Sequence, residues 1–155
     1  MPRRSQTQKT LLTDARDLLT RCAGWNSRLT ARLITQFLDR ELTATGLSIA
    51  KLGLLAEIAA SPDDTLGAIA ARAGLEQSTL SRNLHALEHE GLVEIATVEN
   101  DLRRRMVWLT EFGARRLEMA IPAWRKAHSK LDEGLSAGLV SQVAAEARAL
   151  AESFR

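Results

Sequence analysis

The stretch from Leu66 to Leu84 constrains the fold of this chain more than any other. Ala70 stands four residues before Gly74, and Leu80 stands six after it. That spacing is what two short helices need to cross at a tight turn. The small Ala lets the second helix approach the first, the Gly supplies a left-handed backbone at the corner, and the Leu locks the second helix into a core. The first turns of that second helix carry Gln77, Ser78, Thr79, Ser81 and Arg82. Short hydroxyls and a guanidinium suit phosphates and base edges, and a helix N-terminus adds a dipole that favours phosphate. Taken alone, the spacing also fits an ordinary helical hairpin.

The residues beyond that helix favour a DNA-binding arrangement over a plain helical hairpin. Leu92-Val-Glu-Ile-Ala-Thr-Val98 is rich in β-branched residues and partly alternating, as a strand is, and Arg105–Leu109 is a second strand candidate. The polar connection 99–104 makes the two a hairpin, although its tip carries no Gly. Arg103, Arg104 and Arg105 form the densest basic run in the chain. An Arg run is ordinarily a solvated face. On a hairpin tip, however, long cations reach a narrow minor groove. A helix-turn-helix followed by such a wing implies double-stranded DNA as partner.

The rest of the chain reads as helix. Residues 1–9 look like a flexible basic tail. Leu11, Ala15, Leu18, Cys22, Trp25 and Leu29 then recur at alternating steps of four and three, the spacing of a helix that packs on other helices. Leu33, Phe37, Leu38 and Leu42 extend it, which predicts one long helix stopped at or just before Gly46. Ser48 suits the N-cap of a helix over 49–60, and Asp64 or Thr65 that of a helix over 66–73 ended by Gly74. The recognition helix runs over 77–90 and ends at Gly91. Thr110 caps a helix to about Glu133, with Pro122 inside it as a source of a kink. Beyond Gly134 and Gly138, the residues Leu139, Val143, Ala147 and Leu150 form one face of a last helix. The expected class is mainly α with a small β-hairpin wing. A winged helix-turn-helix domain at 47–110 is flanked by a helical dimerisation region made of 10–46 with 111–155.

Composition narrows the function further. Hydrophobic residues make up 45% and charged residues 26% of the 155, which is a folded rather than a disordered chain. One cysteine, Cys22, excludes an intrachain disulfide and a cysteine-rich metal site. The basic N-terminus gives way to Thr13, Asp14 and Arg16 rather than to an apolar run, which argues against a signal peptide. No stretch is apolar for long enough to span a membrane. The expected compartment is the cytoplasm. No nucleophile motif and no Gly-rich phosphate loop occurs, so no enzyme, cofactor or metal is expected. His85 and His89 stand four apart, but surface histidines are the better reading than a metal pair. Between Pro62 and Thr110 five basic residues face eight acidic ones, a formal −3. DNA binding must then depend on local placement, with modest affinity that falls steeply with salt.

The segment Leu75-Glu-Gln-Ser-Thr-Leu-Ser-Arg-Asn-Leu84, followed by Leu87-Glu-His-Glu-Gly-Leu-Val-Glu94, resembles the central pattern of the MarR family of bacterial regulators. Asp101-Leu-Arg103 resembles the family's D-x-R wing, and Leu109-Thr-Glu-Phe-Gly113 the L-T-x-x-G that opens the next helix. Cys22-Ala-Gly-Trp-Asn-Ser-Arg28, with Arg32, Thr35 and Asp39, and also Ala120-Ile-Pro-Ala-Trp124, are similar to one branch of it. The resemblance implies an obligate homodimer whose terminal helices intertwine and whose two winged domains straddle a palindromic operator. It implies that Ser78, Thr79, Ser81 and Arg82 face the major groove, and that Arg103, held by Asp101, enters the minor groove. Ile95 departs from the pattern, because relatives often carry Arg there.

The same resemblance suggests two kinds of signal. Cys22 could be a redox switch, but relatives that sense peroxides use tyrosines around the thiol, and this chain has none. Cys22 also falls on an apolar heptad position, where an inert thiol is common. Alternatively, a small aromatic or anionic effector binds, with Trp25 and Trp124 as stacking walls and Arg28 and Arg32 as a carboxylate clamp. The same tryptophans read equally well as core and the same arginines as solvated. The effector reading makes the protein a ligand-responsive repressor. A reading of another class is a helical interaction module that does not touch DNA.

Overall fold

The computed structural model describes residues 6–61, 65–98 and 101–154, with side chains for 10–61, 65–97 and 105–154. Seven helices and one hairpin occur among them, in the order α1 (Gln6–Arg21), α2 (Ala23–Leu42), α3 (Ile49–Ala60), α4 (Leu66–Ala73), α5 (Gln77–His89), β1 (Val93–Val98), β2 (Asp101–Leu109), α6 (Glu111–Gly134) and α7 (Leu139–Ser153). By their internal contacts the residues fall into two units, one up to Phe37 and one from Leu38 onward, so the boundary lies inside α2. The first half of α6 sinks Leu117 and Ala120 into the same core as the helix-turn-helix. Among the described residues no single helix is long and apolar enough to cross a membrane.

In the first unit the heptad pattern does not produce one helix. The expected long helix is two, parted at Cys22, and α1 already begins at Gln6, inside the segment expected to be a tail. The main-chain ladder nearly survives the break: Cys22 N–H donates to Leu18 O at 2.8 Å and Asn26 N–H to Cys22 O at 3.0 Å. The Asn26 amide fills the remaining gap by donating to Thr20 O and Cys22 O, both at 3.0 Å. A short polar side chain that satisfies backbone carbonyls locally is a known competitor of the helix ladder. After α2, a 3-10 turn over Thr43–Thr45 leads to Gly46.

The second unit is built on one apolar core. Leu42, Leu47, Leu52, Leu55, Ile58, Ile69, Leu80, Leu84, Leu87, Val93 and Val107 are buried in it. The helix starts follow from their caps. Ser48 Oγ accepts from Lys51 N–H, Thr65 Oγ1 from Ala68 N–H and Thr110 Oγ1 from Gly113 N–H. At the start of α3, Asp39 of α2 adds a second cap by accepting from Ile49 N–H at 2.7 Å. Strands β1 and β2 pair antiparallel, Val93 with Leu109, Ile95 with Val107 and Thr97 with Arg105, with an irregularity between Thr97 and Val98. Val93 and Val107 are buried and Ile95 is half-buried while Glu94 and Ala96 are exposed, so near its base the ribbon has one core face and one wet face. A single bridge from Thr65 to Met106 ties β2 to the start of α4. Helix α6 runs unbroken through Pro122, which lacks the N–H that would bond one turn back.

Candidate nucleic-acid interface

The turn between α4 and α5 has the geometry its residues demand. Gly74 adopts φ 65°, ψ 31° and donates to Ala71 O, and Leu75 N–H reaches back to Ala70 O at 2.9 Å. This left-handed closure satisfies the last carbonyls of α4 and turns the chain into α5. Ala70 is buried at the crossing, as its size requires. From there α5 sinks Leu80, Leu84 and Leu87 completely, each at 0% exposure. The opposite side of the helix is a stripe at steps of four and three: Ser78, Arg82, His85 and His89, all exposed. Gln77 is exposed at the helix start, while Thr79 and Ser81 sit half-buried on the flanks of the stripe. Arg82 lies along its own helix, donating to Ser78 O and to Thr79 Oγ1, both at 3.4 Å. These bonds are long, so the guanidinium can be released to a phosphate or a guanine at little cost.

The frame around α5 is rigid for identifiable reasons. The core leucines do most of the holding. At the rim, Lys51 of α3 pairs with Glu90 at 2.5 Å and Glu57 of α3 accepts from Arg72 of α4 at 3.0 Å. Such part-exposed pairs contribute on the order of 1 kcal/mol or less each. A tighter knot joins the end of α5, the first strand and α6. Thr110 Oγ1 donates to Gly91 O at 2.7 Å and accepts from Gly113 N–H at 2.9 Å, while Thr110 N–H donates to Leu92 O at 3.1 Å. Gly113 is packed so closely that a Cβ there would overlap the Leu92 carbonyl. The Leu-Thr-x-x-Gly sequence is thus the clamp that sets the hairpin against α5 and α6.

In the hairpin, β2 begins at Asp101, four residues earlier than the sequence implies, so Arg103 and Arg104 join Arg105 as strand residues instead of lying in the connection. Val98 pairs with Asp101, and Leu102, Arg103 and Arg104 fall in the irregularity between that pair and the Thr97–Arg105 pair. Arg105 is exposed. The side chains of Asp101, Arg103 and Arg104, the expected minor-groove set, lie outside the described residues.

The signal-sensing candidates divide between the units. Trp25, Arg28 and Arg32 are exposed on α2. Cys22, half-buried at the helix break, accepts from Trp25 N–H at 3.4 Å through its sulfur. Trp124 stands on α6, its ring 4.7 Å from that of His128. It borders a groove of about 640 Å3 between α3 and α6, whose walls include Leu52, Ala56, Leu117, Ile121 and Arg125. The sequence reading missed this groove. Its signal was the run of small residues Gly53, Ala56, Ala59 and Ala60 along α3, which leaves space beside the bulky side chains of α6.

A family model described as MarR family matches residues 45–104, from the 3-10 turn after α2 into β2. Among solved structures, the M. tuberculosis transcriptional regulator MosR in complex with DNA is 32% identical, with a TM-score of 0.77 over 86% of this chain and 98% of MosR. The chain belongs to the MarR family. As a MarR-family protein it is a DNA-binding transcriptional regulator with a winged helix-turn-helix, and the α4–α5 turn and the β1–β2 hairpin are the parts that make it one. Two more distant matches carry the fold alone. An E. coli MarR mutant complexed with operator DNA gives a TM-score of 0.73 at 21% identity over 86% of this chain and 96% of that one. The PcaV regulator of Streptomyces coelicolor, in complex with its natural ligand, gives 0.74 at 18% identity over 88% and 96%. Among curated protein sequences none matches this MarR-family chain.

Proposed function

We propose that this MarR-family regulator is a ligand-responsive repressor that binds a palindromic operator as a homodimer in the cytoplasm. The observation that carries the reading is the exposed stripe of α5 that holds Ser78 and Arg82, set opposite three fully buried leucines. A helix so anchored presents its first turns to the major groove, with Gln77, Thr79 and Ser81 around Ser78 and Arg82. In this reading Arg103, which the family resemblance pairs with Asp101, enters the minor groove, with Arg104 and Arg105 next to it in the sequence. Two such domains read two half-sites about 34 Å apart.

The groove between α3 and α6 supports an effector. Its lining is almost wholly apolar, with Trp124 for stacking and Arg125 as its one charged residue, which suits a flat molecule with one anionic end. Trp25, Arg28 and Arg32 are the further candidates from the sequence. A ligand that favours a different spacing of the two recognition helices lowers operator affinity by the difference in its affinity for the two states. PcaV, a transcriptional regulator solved in complex with its natural ligand, supports a ligand on this fold.

The test is fluorescence anisotropy of the protein on the DNA upstream of its own gene, at low and at physiological salt, with Arg103→Ala beside the wild type. Tight binding that disappears on scrambled DNA and weakens in the variant supports the reading. Failure to bind that fragment and a library of genomic fragments at either salt overturns it in favour of an interaction module.

A further inference from the structure

The exposed stripe of α5 does not stop at Arg82. His85 lies seven residues after Ser78, two turns on the same face, and His89 comes one turn later. At 1.5 Å per residue His85 is about 10 Å along the helix from Ser78, or roughly three base-pair steps. A helix lying in the major groove therefore carries His85 over base pairs adjacent to those beneath its first turn. The His85 ring is not loose: its Nδ1 lies 3.2 Å from Glu88 Oε2, with the side chain still 56% exposed. An ionised carboxylate can only accept, so the proton between them sits on Nδ1. Nε2 is then left without a partner among the described residues, and in the neutral ring it is a bare acceptor.

We propose that His85, oriented by Glu88, is a base-reading residue of the recognition helix that accepts a hydrogen bond from the exocyclic amino group of adenine or cytosine. Those amino groups are the only donors the bases present in the major groove. Arg82 cannot use them, since a guanidinium has no acceptor. His85 and Arg82 flank one line down the helix face, so acceptor and donor stand side by side. Glu88 has a second effect: with its charge committed to Nδ1–H, it faces the nearby phosphates as part of a bonded pair and not as a free anion. The assignment rests on α5 entering the major groove, as proposed above.

The experiment is selection of binding sites from a randomised duplex library at about pH 8, where a histidine ring is ordinarily neutral, followed by sequencing, for wild type, His85→Ala and Glu88→Gln. Thermal melting of each variant serves as the control on folding. The wild type is expected to enrich adenine or cytosine at one position of each half-site. In His85→Ala, discrimination at that position alone falls from about tenfold to under about twofold, with melting unchanged. Glu88→Gln is expected to loosen the same position, because a glutamine amide can donate to Nδ1 and turn Nε2 into a donor, which suits guanine or thymine. A His85→Ala variant that keeps the wild-type preference at every position, or that loses affinity evenly across all of them, overturns the assignment. A wild type that enriches no sequence overturns the groove reading and this assignment with it.

Discussion

Gly113 illustrates how one residue without a side chain can set an interface. Its amide is bound by the Thr110 hydroxyl, and the Leu92 carbonyl occupies the place where a Cβ would be. Gly113→Ala must push α6 away from the first strand, and overpacking of this kind costs about 1–3 kcal/mol. We expect a melting temperature several degrees below wild type, together with weaker operator binding, because the displaced strand carries the wing. An alanine variant that melts with the wild type would show the clamp to be slack. Gly74 makes a smaller demand of a different kind. Nothing crowds it, but its φ of 65° strains any L side chain, so Gly74→Ala is expected to cost only about 1–2 kcal/mol. Both glycines were legible as motif positions. What the sequence could not give is the difference between them: one is required by backbone conformation and the other by contact with a carbonyl twenty-one residues earlier.

Among the elements, the recognition helix was the most legible, because Leu80, Leu84 and Leu87 repeat at helical spacing and a buried stripe fixes the exposed one by geometry. The break between α1 and α2 was illegible for the opposite reason. The heptad pattern runs straight across Cys22, and the interruption is recorded in side-chain bonds, from Asn26 to Thr20 O and Cys22 O and from Trp25 N–H to the Cys22 sulfur. The early start of β2 was hidden by Arg103 and Arg104, whose charge reads as a loop although a ribbon edge tolerates cations well. Where α2 meets α3, Asp39 joins two elements by capping Ile49 across the Gly46 turn. Asp39→Ala removes that cap and is expected to lower stability by about 1 kcal/mol in chemical denaturation. An unchanged midpoint would mean that Ser48 alone suffices. The wing makes its own prediction. If Arg103 meets DNA, Arg103→Ala reduces the slope of log affinity against log salt by about one, as for one lost phosphate-region contact. An unaltered slope together with an unaltered affinity would place Arg103 away from the duplex.

At the scale of the whole molecule, the most telling feature is apolar surface with nothing over it. Helix α7 has no buried residue; Leu139, Val143 and Leu150 are exposed along it, and Phe154 just past its end is 81% exposed. Leu11, Leu18, Leu29 and Leu33 stand exposed on α1 and α2. Soluble single chains rarely leave so many large apolar side chains uncovered. The face predicted for α7 at Leu139, Val143, Ala147 and Leu150 is the same heptad pattern that, in α5, ends in a core. Among the described residues none on this face of α7 is buried, and a second copy covers it in the proposed homodimer. The combined Val143→Glu, Leu150→Glu variant puts two charges on that stripe while leaving the core of the winged domain untouched. By light scattering the wild type should weigh twice the chain mass of 17.0 kDa and the variant should approach 17.0 kDa itself. Operator affinity should fall by about 100-fold or more, because each half-site must then be bound without the gain from its linked neighbour. The helical signal should persist, since each winged domain keeps its own core. A variant that remains a dimer would exclude the α7 stripe as the interface. A variant that becomes a monomer and still binds the full operator as tightly would separate dimerisation from recognition, which the spacing of two half-sites on one palindrome does not allow.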